Sequence, residues 1–275
     1  MDSLDGYVSD DELAVEPLAQ LGFKVDTLSW RDTTVDWNDY EAVIIRTPWD
    51  YQRSPAEFLG VLETINSSSA RLENSLNIVR WNLDKRYLIE MEQRFCRIVP
   101  TIWDANYSSA EFDRWLERFG VDELIIKPTV SATAEHTYRL RAYDPALESV
   151  FESRAFMVQP FMPNIVAEGE YSLFFFNGEY SHTINKSPKT ADFRVQEEHG
   201  GIITEVDPDE KLRVAAQNAL AKIGEPLLYA RVDLVRDASD EFALMELELI
   251  EPALYLRISD GAPERFAAAI ETLLK

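Results

Sequence analysis

Apolar and polar positions change rhythm repeatedly along the chain, and each change marks a predicted element. "DDELAVEPLAQLG", residues 10–22, has helical spacing, with Asp10 or Asp11 as the cap and Gly22 as the stop. "FKVDTLSW" predicts a short strand, and "YEAVIIRTPW" a continuous apolar strand ending at Arg46. "SPAEFLGVLETI" predicts a second helix, with Pro55 in its first turn. Helices alternating with apolar strands imply a mostly parallel sheet covered on both faces. Such a layer normally opens with a strand, yet only a polar stub precedes the first helix here. The pattern implies a missing initial strand, through truncation or a late start codon.

Beyond residue 76 the rhythm shifts. "NIVRWNLDKRYLIEMEQRF" (77–95) is an amphipathic helical stretch, and "SAEFDRWLERFG" a further helix. The apolar strand "ELIIKP" leads into a polar loop, "TVSATAEHT", and "AFMVQPFM" predicts the next strand. "EYSLFFFNGEYSHTINK" has the form of a hairpin turning at Asn177-Gly178. After the polar loop "SPKTADFRVQEEHGG" come a helix over 208–223, the hairpin "LLYARVDLV–RDASDE–FALMELELI" and a closing helix from about 262. There is no internal repeat and no low-complexity linker. The chain is predicted to be α/β, with a small N-terminal layer (1–76) and a larger α+β unit (77–275).

Composition narrows the function. Of the 275 residues 46% are apolar and 28% charged, an ordinary globular balance. No apolar run approaches the roughly 20 residues of a membrane-spanning helix, and the acidic start "MDSLDGYVSDDEL" lacks the form of a signal peptide. The lone Cys96 forms no internal disulfide, so a reducing cytoplasmic setting is expected. A net charge of −22 argues against nucleic acid or an anionic membrane as the partner, but leaves room for an anionic small molecule held by local cations and a metal. His136, His182 and His199 have no zinc-like spacing, and the glycine-rich phosphate loops and the GxSxG elbow are absent. Any nucleotide site must be built differently.

In "FALMELELIEP" glutamate alternates with leucine, so Glu246 and Glu248 share one strand face while Leu247 and Leu249 share the other. With "RDASDE" as the turn, Asp233 falls opposite Leu244 and diagonal to Glu246. Three such carboxylates repel unless a cation sits among them, and hard oxygen ligands suit Mg²⁺. A half-solvated sheet face has the same alternation. Lys127 ends an apolar strand, where a charge is costly without an anionic partner. Lys186 and Arg194 bracket the later polar loop. Each cation alone reads as a surface charge; beside a carboxylate trio they suit a metal–polyphosphate complex.

The order of elements from about residue 25 onward resembles the ATP-grasp superfamily of ligases, especially bacterial glutathione synthetases and ribosomal-protein glutamate ligases. "VIIRTPWDY", "RWNLDKRYL", "KPTVSA" and "ELIEPALYL" further resemble the cyclo-ligase sub-group of cycloserine biosynthesis. The resemblance implies a pre-grasp layer, a lid over about 98–158 and a metal–phosphate unit over 159–275. It implies that Lys85 and Lys127 contact ATP phosphates, with Ser131 and Thr133 in a flap poorer in glycine than is usual. Gln159, Pro160 and Phe161 would meet adenine, and Glu170 the ribose. Lys186 and Arg194 would stabilise charge in catalysis. Asp233, Glu246 and Glu248 would hold Mg²⁺, with Mn²⁺ as an alternative; Glu248 stands where Asn is usual. The implied reaction joins a carboxylate to an amine through an acyl phosphate, in a protein of a family that often oligomerises. "RTPWDY" ends a strand, where α/β sheets place ligands. Arg46, Trp49, Asp50 and Tyr51 are therefore candidates for binding an amino-acid-like substrate, or else form a capped strand end with Trp49 in the core.

Overall fold

A turn of 3-10 helix, Asp11–Ala14, runs into α1 (Val15–Gln20), and Gly22 follows with φ +91°. The computed structural model describes every residue except Asp104, Thr133 and Ala191. Asp10 precedes the helix but does not cap it, because its carboxylate takes two bonds from Arg257 instead. Residues 1–8 and the predicted strand 23–30 carry no ladder. The alternation in 23–30 finds no second layer: Val25 and Leu28 stay exposed and Trp30 alone is buried. β1 (Ala42–Ile44) is shorter than expected and pairs in parallel with β2 (Arg71–Glu73), with α2 (Pro55–Ser67) between them in sequence.

The stretch 77–95 is two helices, α3 (Leu76–Asn82) and α4 (Tyr87–Gln93). Between them the Lys85 N–H donates to Thr129 O at 2.8 Å, and Asp84 accepts from the Arg86 N–H and the Thr129 hydroxyl. These bonds replace the helix ladder. α5 (Ser109–Phe119) is capped by the Ser108 hydroxyl and ends at left-handed Gly120. Then come β3 (Leu124–Pro128), β4 (Tyr138–Leu140), α6 (Glu148–Phe151), β5 (Phe156–Pro160) and α7 (Asn164–Ala167). β6 (Glu170–Phe176) and β7 (Glu179–Ser187) form the expected hairpin about Asn177-Gly178. β8 (Ile202–Glu205), α8 (Glu210–Leu220), β9 (Tyr229–Arg236), β10 (Phe242–Glu248) and α9 (Ala262–Leu274) complete the chain.

The parallel pairing expected of the N-terminal layer is present in β1–β2, and the sheets of the larger unit are antiparallel. The order β10-β9-β6-β7-β8 is antiparallel throughout, as is β4-β3-β5, while β1–β2 is parallel and an isolated parallel bridge joins Ile98 to Leu244. The short turns of β6–β7 and β9–β10 dictate their antiparallel pairing, since a parallel pair needs a long crossover. One face of the five-stranded sheet buries Leu173, Phe175, Val232 and Leu247 against Leu88 and Met91 of α4 and Leu212 and Ala216 of α8. On the other face α9 covers Phe174, Phe176 and Tyr229. The rest of that face, built from the start of β6 and the ends of β7, β9 and β10, is polar. The three-stranded sheet has its own core of Phe112, Trp115, Leu124, Ile126 and Phe156. Among the described residues no helix is long and apolar enough to cross a membrane.

Candidate active site

The polar end of the large sheet and the inner face of the small one enclose a single cleft. Lys85, Lys127, Ser131, Gln159, Pro160, Glu170, Lys186, Arg194, Asp233, Glu246 and Glu248 all line it, with Trp49 and Tyr51. Residues scattered over about 200 positions are thus brought together.

A bulge in β10 aims the carboxylates. Leu244 lies opposite Leu234, but Glu246 lies opposite Asp233, so Met245 is an extra residue. Before it Phe242 and Leu244 enter the core; after it Leu247 and Leu249 do. Strict alternation would have put Glu246 on the core face with Leu244. The bulge also corrects the expected diagonal pairing, because Asp233 and Glu246 are direct cross-strand partners. The parity switch of the apolar residues was the available signal. Asn82 and Tyr87 pin this strand: Asn82 Nδ2 donates to Leu247 O at 2.9 Å and its Oδ1 accepts from the Leu249 N–H at 3.0 Å, while the Tyr87 hydroxyl accepts from the Leu247 N–H at 2.7 Å.

The carboxylates are held by cations rather than gathered into a cage, and no metal cage of three or more His, Cys, Asp or Glu occurs among the described residues. Glu246 pairs with Lys85 Nζ at 3.0 Å, which also donates to Ser131 O at 2.7 Å. Asp233 accepts from Ser172 Oγ at 2.5 Å and from Arg231 Nε and Nη2, both at 3.0 Å. Arg231 also grips Glu248. Sequence reasoning missed Arg231, although it lies two residues before Asp233 and so on the same strand face. One guanidinium between two carboxylates is unequally shared. Burial raises the Asp233 pKa, but Arg231 and Lys186 outweigh it and hold it at about 2. Burial, with repulsion from Asp233 and Glu246, pushes Glu248 up to about 8 despite Arg231. Burial opposes ionisation of Glu246 as well, but Lys85 and Lys127 win and lower its pKa.

Lys186 is buried and ion-paired to Glu170 across β6–β7, with Asp233 Oδ2 at 3.4 Å. Burial disfavours its charge, but Asp233 and Glu170 outweigh it, so the ammonium is held well above its usual range. Glu170 is thereby engaged with Lys186, whereas the resemblance implied a carboxylate available to a ribose. Lys127 differs. Its strand neighbours Leu124 and Ile126 face the core, so Ile125 and Lys127 face the cleft. Its ammonium makes no hydrogen bond or ion pair among the described residues, and burial lowers its pKa against the pull of Glu246. Arg194 is held by Asp192, with Nη2 3.0 Å from Oδ2 and Nε 3.2 Å from Oδ1. Its loop folds back so tightly that a Cβ at Gly201 would lie 2.0 Å from Val195 O.

Other expected residues fall elsewhere. Gln159 lines the cleft and donates to the Thr101 hydroxyl at 3.0 Å, but Phe161 does not line it. The Phe161 ring lies 3.6 Å beneath the Arg139 guanidinium, and Met162 takes the place in the wall. Alternation would keep Phe161 on the face of Gln159, but β5 ends at Pro160, and the chain leaves that pattern before Phe161. Thr133 lies outside the described residues. Arg46 is turned away to Asp11 at 3.1 Å and Pro252 O at 2.6 Å, and Asp50 to Trp30 Nε1 at 3.0 Å and to Arg31. Both fasten the N-terminal layer and neither lines the cleft. Trp49 and Tyr51 do, and both are buried.

Comparison with known proteins agrees with this architecture. Residues 1–74 match the family model for the N-terminal domain of D-cycloserine synthetase DcsG. The cycloserine biosynthesis protein DcsG of Streptomyces lavendulae is 33% identical over 286 residues, covering 95% of this chain and 92% of that protein. The chain belongs to the DcsG family. The crystal structure of D-cycloserine synthetase DcsG matches with a TM-score of 0.83 at 31% identity, over 96% of this chain and 94% of that one. The ATP-grasp ligase PsnB matches with a TM-score of 0.69 at 13% identity, over 96% and 94%, a likeness of fold. This DcsG-family member therefore has the ATP-grasp fold and is a ligase.

Proposed function

We propose that the protein is an ATP- and Mg²⁺-dependent ligase that joins a carboxylate to an amine of an amino-acid-like substrate, by way of an acyl phosphate, and closes a ring within one molecule. The observation that carries this is the single cleft in which Lys85, Lys127 and Arg231 face the carboxylates of β9 and β10. PsnB has been crystallised with Mg and ADP, and the full-length relative belongs to cycloserine biosynthesis, which supports both the nucleotide and the cyclic product.

The donor set fits both groups. Lys127 is a cleft cation without a partner among the described residues, which suits a phosphate oxygen. Asp233, Glu246 and Glu248 offer hard oxygen ligands, and Mg²⁺ commonly takes one or two carboxylates together with substrate phosphates. Mn²⁺ suits the same oxygens. Bound there, the metal would neutralise charge on the β- and γ-phosphates. Lys85 and Lys127 would orient the phosphates, and Gln159, Pro160 and Met162 would line the base-binding end. Attack of the substrate carboxylate on the γ-phosphorus releases ADP, and the amine then displaces phosphate from the acyl carbon. Arg231, Lys186 and Arg194 would stabilise the charge on the transferring group, as phosphoryl transfer requires positioning and neutralisation more than side-chain nucleophiles.

The test is ADP release from Mg·ATP with O-amino-substituted serines of either hand, followed by mass analysis for loss of one water on ring closure. Substrate-dependent ADP release with a cyclic product is expected. Nucleotide binding without release by any amino acid in the panel would overturn the proposal.

A further inference from the structure

Each buried carboxylate discussed so far has a cation beside it: Glu246 has Lys85, Asp233 and Glu248 share Arg231, and Glu170 has Lys186. Glu251 lines the same cleft and has no ion-pair partner among the described residues. The Tyr51 hydroxyl neighbours its carboxylate. Its backbone is clamped from the same N-terminal loop, with Trp49 Nε1 donating to Glu251 O at 2.8 Å and Arg46 donating to Pro252 O at 2.6 Å. Its backbone is therefore held beside Trp49 and Tyr51, while the half-buried side chain lines the cleft without a cation of its own among the described residues. Burial raises its pKa to about 7.

We propose that Glu251 is the residue that recognises the amino group of the substrate, receiving an ammonium in the place where its neighbours already hold a lysine or arginine. This rests on the ligase reading given above and adds the specificity determinant to it. An amino-acid-like substrate has an anionic end to be activated and a cationic end to be recognised. The cations Arg231, Arg194 and Lys186 attract the first; of the two lining carboxylates without an ion pair among the described residues, Glu198 is exposed and Glu251 half-buried, which makes Glu251 the better placed for the second. A carboxylate beside Tyr51 with no ion-pair partner among the described residues keeps its acceptors for a primary ammonium, and a charge-assisted bond of this kind is stronger than a neutral one. Tyr51 is a positioning residue: it orients the acid that touches the substrate.

The experiment titrates wild type, Glu251→Gln and Tyr51→Phe with Mg·ADP present, using cycloserine and isoxazolidin-3-one, the same ring without its amine, as probes. Wild type is expected to prefer cycloserine by about tenfold or more, the worth of roughly one good ionic hydrogen bond. Glu251→Gln removes the charge and keeps the volume, and is expected to bring the two ligands within about twofold of each other. Tyr51→Phe is expected to fall between. Binding of a non-hydrolysable ATP analogue with Mg²⁺ reports the integrity of each variant and is expected to be unchanged. If Glu251→Gln retains the full preference, or if wild type binds nucleotide but does not distinguish the two rings, amine recognition by Glu251 is overturned. If wild type binds no nucleotide, the ligase reading itself fails, and this inference with it.

Discussion

Lys127 and Lys186 show what a buried lysine means only when its neighbours are known. Both lie on strands and both face the cleft, yet Lys186 has two carboxylates and Lys127 has none within ion-pair distance among the described residues. Removing Lys186 would leave Glu170 and Asp233 without their shared cation, so a stability loss would confuse any loss of activity. Lys127→Met is the cleaner probe, because deleting a half-buried charge that has no ion-pair partner among the described residues costs the fold little or stabilises it. We expect its melting temperature to stay level or rise while kcat/KM for ATP falls by about 100-fold or more. A variant with a lowered melting point and normal kinetics would show that the ammonium serves the fold instead. The lysines were legible in the sequence as charges at the ends of apolar runs. Which of them is already satisfied was not, because that depends on Glu170 and Asp233 arriving from other strands.

At the scale of elements, β10 is held in its bulged register by groups from other parts of the chain. Asn82→Ala leaves a buried carbonyl short of one bond and the Leu249 N–H without any, a cost of about 1–3 kcal/mol in a urea melt. It is also expected to lower activity, since Glu246 and Glu248 ride on that strand. The hairpin β6–β7 carries a pH-sensitive element at its other end. His182 stacks on Phe174 at 4.2 Å, and since a carbonyl only accepts, Nε2 carries the proton given to Leu254 O at 3.0 Å. Nδ1 then accepts from Ser181, whose oxygen accepts from Arg265. Burial lowers this imidazole from 6.5 to about 4, so the folded state binds fewer protons than the unfolded one between those values. Its stabilisation is complete above pH 6.5 and is lost as pH falls through 4, in all roughly 3 kcal/mol. Urea melts at pH 7 and pH 4.5 should show that loss, and His182→Gln should flatten the difference while starting less stable. Helix and hairpin existence was readable from periodicity and from Asn177-Gly178. The short edge strands β4 and β8 were not, since three or four half-exposed residues leave no clear alternation.

Over the whole molecule the charge of −22 acts on stability as self-repulsion. Raising NaCl from about 20 to 300 mM shortens the screening length and is expected to raise the melting temperature by a few degrees; a flat response would mean that the paired cations already neutralise the field. On the proposed reading the same excess bears on the cleft, where Lys85, Lys127, Arg194 and Arg231 would draw in an anionic nucleotide against the surrounding potential.

The sequence by itself determined the order of elements, the antiparallel hairpins about short turns, the family resemblance and most of the cleft's charged residues, because these depend on local spacing and local chemistry. Tertiary structure decided the rest. The bulge at Met245 chose the face of Glu246, Arg231 entered between Asp233 and Glu248, Arg46 and Asp50 were taken up as fasteners, and Glu251 was left without a cation. Each is a matter of which charges become neighbours once remote strands meet, and Coulomb interaction depends on that separation and on how far the site is desolvated.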